Sequence, residues 1–151
     1  MDYPSYVTGF VDGEGCFQVS FSRRGKLTLG LEARPSFSLS QHQRNKESVL
    51  ALQRFFRCGS VRFSRRDQNY KFEVRSIDDL IKTIIPHFKR YPLQTSKQQE
   101  FERFVRICEL IHSNHHRSAD GLKEIILLSV NLNRSGKKKY NRHDLLQMMT
   151  R

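Results

Sequence analysis

The residues of this chain best placed to do chemistry are two carboxylates in the segment Val7-Thr8-Gly9-Phe10-Val11-Asp12-Gly13-Glu14-Gly15, where a helix-like run passes straight into a glycine-braced turn. Gly9 leaves room for a second backbone against a helix face, and Gly13 and Gly15 suit the left-handed or turn conformations that close a helix. Glu14 is thereby held at a helix end, where main-chain carbonyls lack helical partners. A carboxylate beside such a carbonyl is a site for a hard divalent cation such as Mg²⁺. Taken alone, the string also reads as an ordinary helix end carrying two solvated acids, so the choice rests on what surrounds it.

The surroundings are strongly basic: 27 Lys and Arg against 15 Asp and Glu give a net charge of +12 over 151 residues. Such a charge points to a polyanionic partner, nucleic acid first, with an anionic membrane surface or an acidic protein as competitors. No apolar run is long enough to span a bilayer and no basic-then-apolar leader opens the chain, so a membrane role is not expected. The hydrophobic content of 37%, with 11 Phe, suffices for one core, and a single domain over residues 1–151 is expected. Cys16, Cys58 and Cys108 are odd in number and scattered, which argues against a disulfide framework or a zinc ribbon and for a reducing, intracellular compartment. Cys108, His112, His115 and His116 are zinc-ligand types, but four ligands along one rigid helix cannot surround a tetrahedral ion. They read instead as a helix end with histidines near its negative pole.

The elements that must position Glu14 follow from periodicity. Tyr3 to Asp12 has helical apolar spacing, with Pro4 in the first turn. Two-residue alternation then sets Phe17, Val19 and Phe21 against Gln18, Ser20 and Ser22. After an Arg23-Arg24-Gly25-Lys26 turn it sets Leu27, Leu29, Leu31, Ala33, Phe37 and Leu39 against Thr28, Glu32, Arg34, Ser36, Ser38 and Ser40. Asn45 is positioned to cap a helix from Lys46 to about Arg57, stopped by Gly59. A second hairpin places Val61, Phe63, Tyr70, Phe72 and Val74 inward and Arg62, Ser64, Lys71, Glu73 and Arg75 outward. Ser76 opens a helix closed near Pro86, Thr95 and Gln98 have capping-box spacing before a longer helix, and shorter helices follow at Leu122 to Leu132 and Asp144 to Met149. The fold class is therefore α+β, an αββαββα core whose two hairpins form a four-stranded antiparallel sheet with helices on its apolar face. The other face carries Ser, Gln, Thr, Arg and Glu, the side chains that read base edges.

With these residues in place, the chain resembles the LAGLIDADG homing endonucleases in their single-motif form. Val7 to Gly15 matches the family motif, with Glu14 as its second, metal-binding acid. The likeness extends through the element order, through Pro92-Leu93-Gln94-Thr95-Ser96-Lys97 before a helix, and through Gly121-Leu122-Lys123-Glu124-Ile125 and Asn133-Arg134. The resemblance implies that motif helices of two subunits pack together and set two acids at the centre of a saddle on DNA. One motif in a chain too short for a second half implies a homodimer on a roughly palindromic site. It further implies that the Gly13 carbonyl is Glu14's companion metal ligand, that Mg²⁺ or Mn²⁺ is the cofactor, and that Gln41 and Lys97 line the active site and organise its water. Thr8, Gly9, Asp12 and Gly13 fall at the subunit contact, where small residues permit a close helix crossing. Asp12 is the structural acid of the pair.

For double-stranded DNA the expected contacts are Gln18, Ser20, Ser22, Arg24, Arg34, Ser36, Ser38, Arg62, Ser64, Lys71, Glu73 and Arg75 on the sheet. Lys137, Lys138 and Lys139 in a basic tail are expected to touch phosphate. The reading is a site-specific double-strand endonuclease acting in a bacterial cytoplasm or an organelle. A non-cleaving relative serving as splicing maturase or DNA-binding regulator is the alternative, and a basic ribosome-associated domain the third. The inward aromatics disfavour the last, since RNA-reading sheets display aromatics for base stacking.

Overall fold

The computed structural model describes residues 1–132 and 138–149. Helix α1 (Tyr3–Glu14) is capped by Asp2, whose carboxylate accepts from the Ser5 N–H and hydroxyl, and Pro4 sits in its first turn. It runs two residues past the expected Asp12 end and passes directly into β1 (Gly15–Arg23). A turn closed by the Arg24 N–H on the Gly30 carbonyl leads to β2 (Leu31–His42). Leu27 to Gly30, expected at the start of that strand, belongs to the turn. Helix α2 (Lys46–Phe56) ends at Arg57, itself left-handed with φ of 57°, rather than at Gly59. The Asn45 side chain does not cap this helix; it donates to Gln41 instead.

Strands β3 (Ser60–Ser64) and β4 (Asn69–Val74) complete an antiparallel sheet of order β1-β2-β4-β3, so the second strands of the two hairpins lie side by side. Ser38 and Ser60 both face Glu73 in the register, and Ser40 and Arg62 both face Lys71. Ser76 caps the short helix α3 (Ile77–Asp79), followed by a π-helical turn over Leu80–Ile84 and helix α4 (Ile85–Arg90). The expected stop near Pro86 does not occur. The widened turn meets the missing proline N–H at the start of a fresh α segment, where no donor is needed. Helices α5 (Lys97–His112), α6 (Ala119–Ser129) and α7 (Arg142–Met149) follow, with α6 and α7 beginning earlier than periodicity placed them.

The chain forms two compact units: one of Met1–Cys16 with Ser36–Gln98, the other of Phe17–Pro35 with the described residues from Gln99 onward. The core of the first is aromatic. Phe37 of β2 meets Phe56, Phe72 and Phe88 at ring-centroid separations of 6.1, 6.2 and 5.6 Å. In the second, Phe17 of β1 lies between Phe101 and Phe104 of α5 at 5.4 and 5.2 Å. Each fully buried Phe contributes roughly 1.5–3 kcal/mol, which holds the helices against the sheet with its polar residues turned away.

Candidate active site and nucleic-acid interface

The two motif acids stand two residues apart and do opposite things. Asp12 is saturated: Oδ2 accepts the Gln94 N–H at 2.7 Å, and Oδ1 accepts the Thr95 hydroxyl at 2.7 Å and the Thr95 N–H at 3.2 Å. Partial burial pushes its carboxyl up, but the hydrogen bonds from Gln94 and Thr95, helped by the Lys97 charge, outweigh that and hold it below the usual carboxylate range. Glu14 is exposed and engages no other described residue. The sequence expectation that glycines supply left-handed backbone here is not met. Among the described glycines, positive φ occurs at Gly30 and Gly59, while Gly15 has φ of −80°. Gly15 is required sterically: a Cβ would sit 2.6 Å from Val11 Cγ1 and 2.9 Å from the Val11 carbonyl oxygen.

Lys97 lies at the same turn, where it has a structural role. Its ammonium donates to the carbonyls of Gly15 at 2.6 Å, Val11 at 3.0 Å and Asp12 at 3.1 Å. All three donors are committed to closing the C-terminus of α1, a set that omits Gly13. Thr95 and Gln98 do not form the expected capping box. The Thr95 hydroxyl serves Asp12 and accepts the Lys97 N–H, and Gln98 Oε1 accepts the Leu93 N–H. Gln41 is placed at the end of β2, half-buried, with its amide bonded to the Ser40 carbonyl and Asn45 rather than to Glu14 or Lys97.

Two residues expected at a subunit contact point elsewhere. Thr8 is 5% exposed and donates to the Tyr91 carbonyl at 2.9 Å. Having spent its proton there, its oxygen receives the His87 Nε2–H at 3.1 Å. Burial pushes the His87 imidazole down to about 4, so it is neutral at physiological pH. Asp12 is likewise consumed within its own chain. The outward strip of α1 consists of Tyr6, Gly9, Phe10 and Gly13, at positions i, i+3, i+4 and i+7. A Cβ at Gly9 or Gly13 would meet nothing within 4 Å. Tyr6 and Phe10 were missed by sequence reasoning, although their helical spacing with the two glycines carried the signal.

The polar side chains of the sheet form two clusters, one in each unit. In the first, Arg62, Ser64 and Arg75 are exposed and Lys71 half-exposed, but Ser36, Ser38 and Glu73 are 4–5% exposed. Ser36, Ser38 and Glu73 therefore do not stand where they can touch a base; Glu73 lies beneath the longer Arg62, Lys71 and Arg75. Glu73 accepts from Arg62 at 3.0 Å and lies 3.5 Å from Lys71 and 3.8 Å from Arg75. In the second unit Glu32, expected on the polar face but not among the named DNA contacts, pairs with Arg24 at 3.1 Å and Arg34 at 3.0 Å. Ser20 is exposed and Gln18 and Ser22 are half-exposed. Lys138 does not stand free for phosphate: it donates to the carbonyls of Ser129 and Val130 at the end of α6. Lys139 lies over the Tyr140 ring, and Lys137, with Asn133-Arg134, falls outside the described residues.

Hard oxygen donors on an exposed turn fit a divalent cation, with the Glu14 carboxylate and the Gly13 carbonyl as the groups that would hold it. Among the described residues no cluster of three or more His, Cys, Asp or Glu side chains is placed to hold a metal, including the Cys108 to His116 set. No described helix is long and apolar enough to cross a membrane.

The α+β fold, with its motif helix ending in one committed and one open acid, is that of a nuclease family: residues 7–108 match the LAGLIDADG endonuclease family, and the chain belongs to it. Among known structures it is similar to the homing endonuclease I-TnaI, 33% identical with a TM-score of 0.85 over 97% of this chain and 95% of that one. It is also similar to the I-SmaMI LAGLIDADG homing endonuclease bound to cleaved DNA, 28% identical with a TM-score of 0.84, covering 90% of this chain and 45% of that one. A probable intron-encoded endonuclease 2 of Neurospora crassa is 31% identical over 86% of this chain. A probable intron-encoded DNA endonuclease 1 of Mycosarcoma maydis is 33% identical over 75%. The chain spans 29% and 40% of the lengths of these two relatives.

Proposed function

We propose that the chain is a site-specific double-strand DNA endonuclease that works as a homodimer on a long, roughly palindromic site. The observation that carries this reading is the contrast at the motif: Asp12 is consumed in structure while Glu14, two residues on, stays exposed and unengaged. One chain offers one such acid, and cutting two strands calls for two. The open strip of Tyr6, Gly9, Phe10 and Gly13 supports a second copy against α1, bringing two Glu14 carboxylates to one axis. Like charges that close would repel unless neutralised, which fits a cation site. When bound, a divalent cation lowers the pKa of water and stabilises the leaving oxygen of a phosphodiester. The chain's own part is to hold it with Glu14 and Gly13, to fix the turn through Lys97, and to seat DNA through Arg24, Arg34, Arg62, Lys71 and Arg75. Gln41 is read as a residue that orders water beside the scissile phosphate.

The test is Glu14→Gln with a DNA library and Mg²⁺. The variant is expected to keep the selected binding sequence and lose cleavage. Undiminished cutting would remove Glu14 from the site. Absence of cutting by the unsubstituted protein, with binding intact, would favour a non-cleaving DNA-binding relative.

A further inference from the structure

Glu73 is an acid at 5% exposure on a polar sheet surface whose neighbours Arg62, Lys71 and Arg75 are 64, 36 and 55% exposed. It lies beneath its cations, at the middle of β4, with the short Ser38 and Ser60 directly across on either side. An acid in that position cannot accept from a base without first releasing three cations. Its chemistry is directed at them instead: Oε1 takes Arg62 Nη2 at 3.0 Å and faces Arg75 Nε at 3.8 Å, and Oε2 faces Lys71 Nζ at 3.5 Å. In the other unit, Glu32 likewise meets two arginines, Arg24 and Arg34, through their Nε atoms at 3.1 and 3.0 Å.

We propose that Glu73 is a positioning residue for sequence readout, fixing the donor direction of Arg62 before DNA arrives, with Lys71 and Arg75 drawn in by looser contacts at 3.5 and 3.8 Å. The proposal rests on the DNA-reading role of the sheet stated above. A free arginine side chain loses rotamer entropy on binding unless the fork is already held. A guanidinium tethered at one edge presents its remaining donors in one plane, the requirement for a bidentate contact to guanine. The sign is distinctive: removing this acid adds net positive charge, which strengthens binding to any DNA while blurring the choice among sequences.

The experiment compares the full chain with Glu73→Gln and Glu73→Asp by binding-site selection and by affinity for the selected and an unrelated duplex at two salt concentrations. Glu73→Gln is expected to bind unrelated DNA more tightly, with a salt slope steeper by up to about one. It should lose about tenfold of its preference at the base pairs under Arg62. Glu73→Asp keeps the charge but withdraws it by one methylene, so preference should fall without the non-specific gain. Wild-type selectivity in both variants overturns the proposal, as does an equal loss of specific and non-specific binding with lowered thermal stability. If the unsubstituted protein selects no sequence, the DNA-reading role fails separately. NMR relaxation of the Arg62 guanidinium in free protein then still decides, since unchanged mobility in Glu73→Gln overturns the positioning role.

Discussion

Replacing Lys97 by Met tests whether this lysine closes the motif helix or acts on the reacting groups. The ammonium donates at 2.6, 3.0 and 3.1 Å to the carbonyls of Gly15, Val11 and Asp12. A hydrogen bond to a charged group contributes roughly 1.5–3 kcal/mol, and a cation at a partly buried helix C-terminus up to about 2. These do not add, because the group is half-exposed and the Val11 carbonyl keeps the Gly15 N–H as a second partner. A loss of about 2–3 kcal/mol is the expected outcome. For a chain of this length each kcal/mol moves the midpoint by about 2–4 °C, so the melting temperature should fall by about 5–10 °C. Denaturant unfolding should show a lower midpoint at unchanged slope. Cleavage should fall with the loss of order at Glu14 while DNA binding by the folded fraction persists. Unchanged stability with abolished cleavage would refute the capping role and make Lys97 a catalytic residue.

The glycines of the motif should separate cleanly: Gly15→Ala, whose Cβ meets the Val11 backbone, should destabilise the chain by about 1–3 kcal/mol. Gly9→Ala and Gly13→Ala, facing open space, should leave thermal stability equal or slightly higher and weaken dimerisation in sedimentation. For His87, burial lowers the imidazole from about 6.5 to about 4, so the unfolded chain binds the extra proton between these values. Stability should therefore drop as pH falls from about 6.5 to about 4 and stay flat just above that window. A His87→Gln variant showing the same pH profile would contradict this. Arg62→Ala or Arg75→Ala should relax preference at particular base pairs, by about 1–3 kcal/mol for each bidentate arginine–guanine pair removed. Lys139→Ala should weaken binding evenly and flatten the salt dependence by up to about one unit, and binding-site selection at two salt concentrations separates the two patterns.

Strong periodicity made the elements legible: both hairpins, the motif helix and the long α5 occur in the expected order, although β2 begins at Leu31 rather than Leu27 and Phe63, expected inward, is 40% exposed. What escaped the sequence depends on partners distant along the chain. Helix propensity cannot say that Thr8 turns inward to Tyr91 and His87, because those residues are 79–83 positions away. Alternation correctly assigned Ser36, Ser38 and Glu73 to the polar side of the sheet, but not their depth. Depth depends on what stands across in the register and on which cations close over it: Glu73 faces the short Ser38 and Ser60 and lies beneath Arg62, Lys71 and Arg75. Pro86 misled because a proline stops a helix only when the preceding turn cannot widen. The exposed position of Glu14 at the helix end was readable because a short motif fixes its own geometry, whereas Gly13 and Lys97 were singled out through family resemblance rather than local pattern.

The three carbonyls held by Lys97 lie 82 to 86 positions earlier in the chain, and the Asp12 contacts reach nearly as far. During synthesis, Glu14 emerges from the ribosome long before the lysine that closes its turn exists. Fragments and stalled chains ending before that point carry the acid without its support. The support of the exposed motif acid is thus complete only in a chain whose first unit has been translated almost to its end.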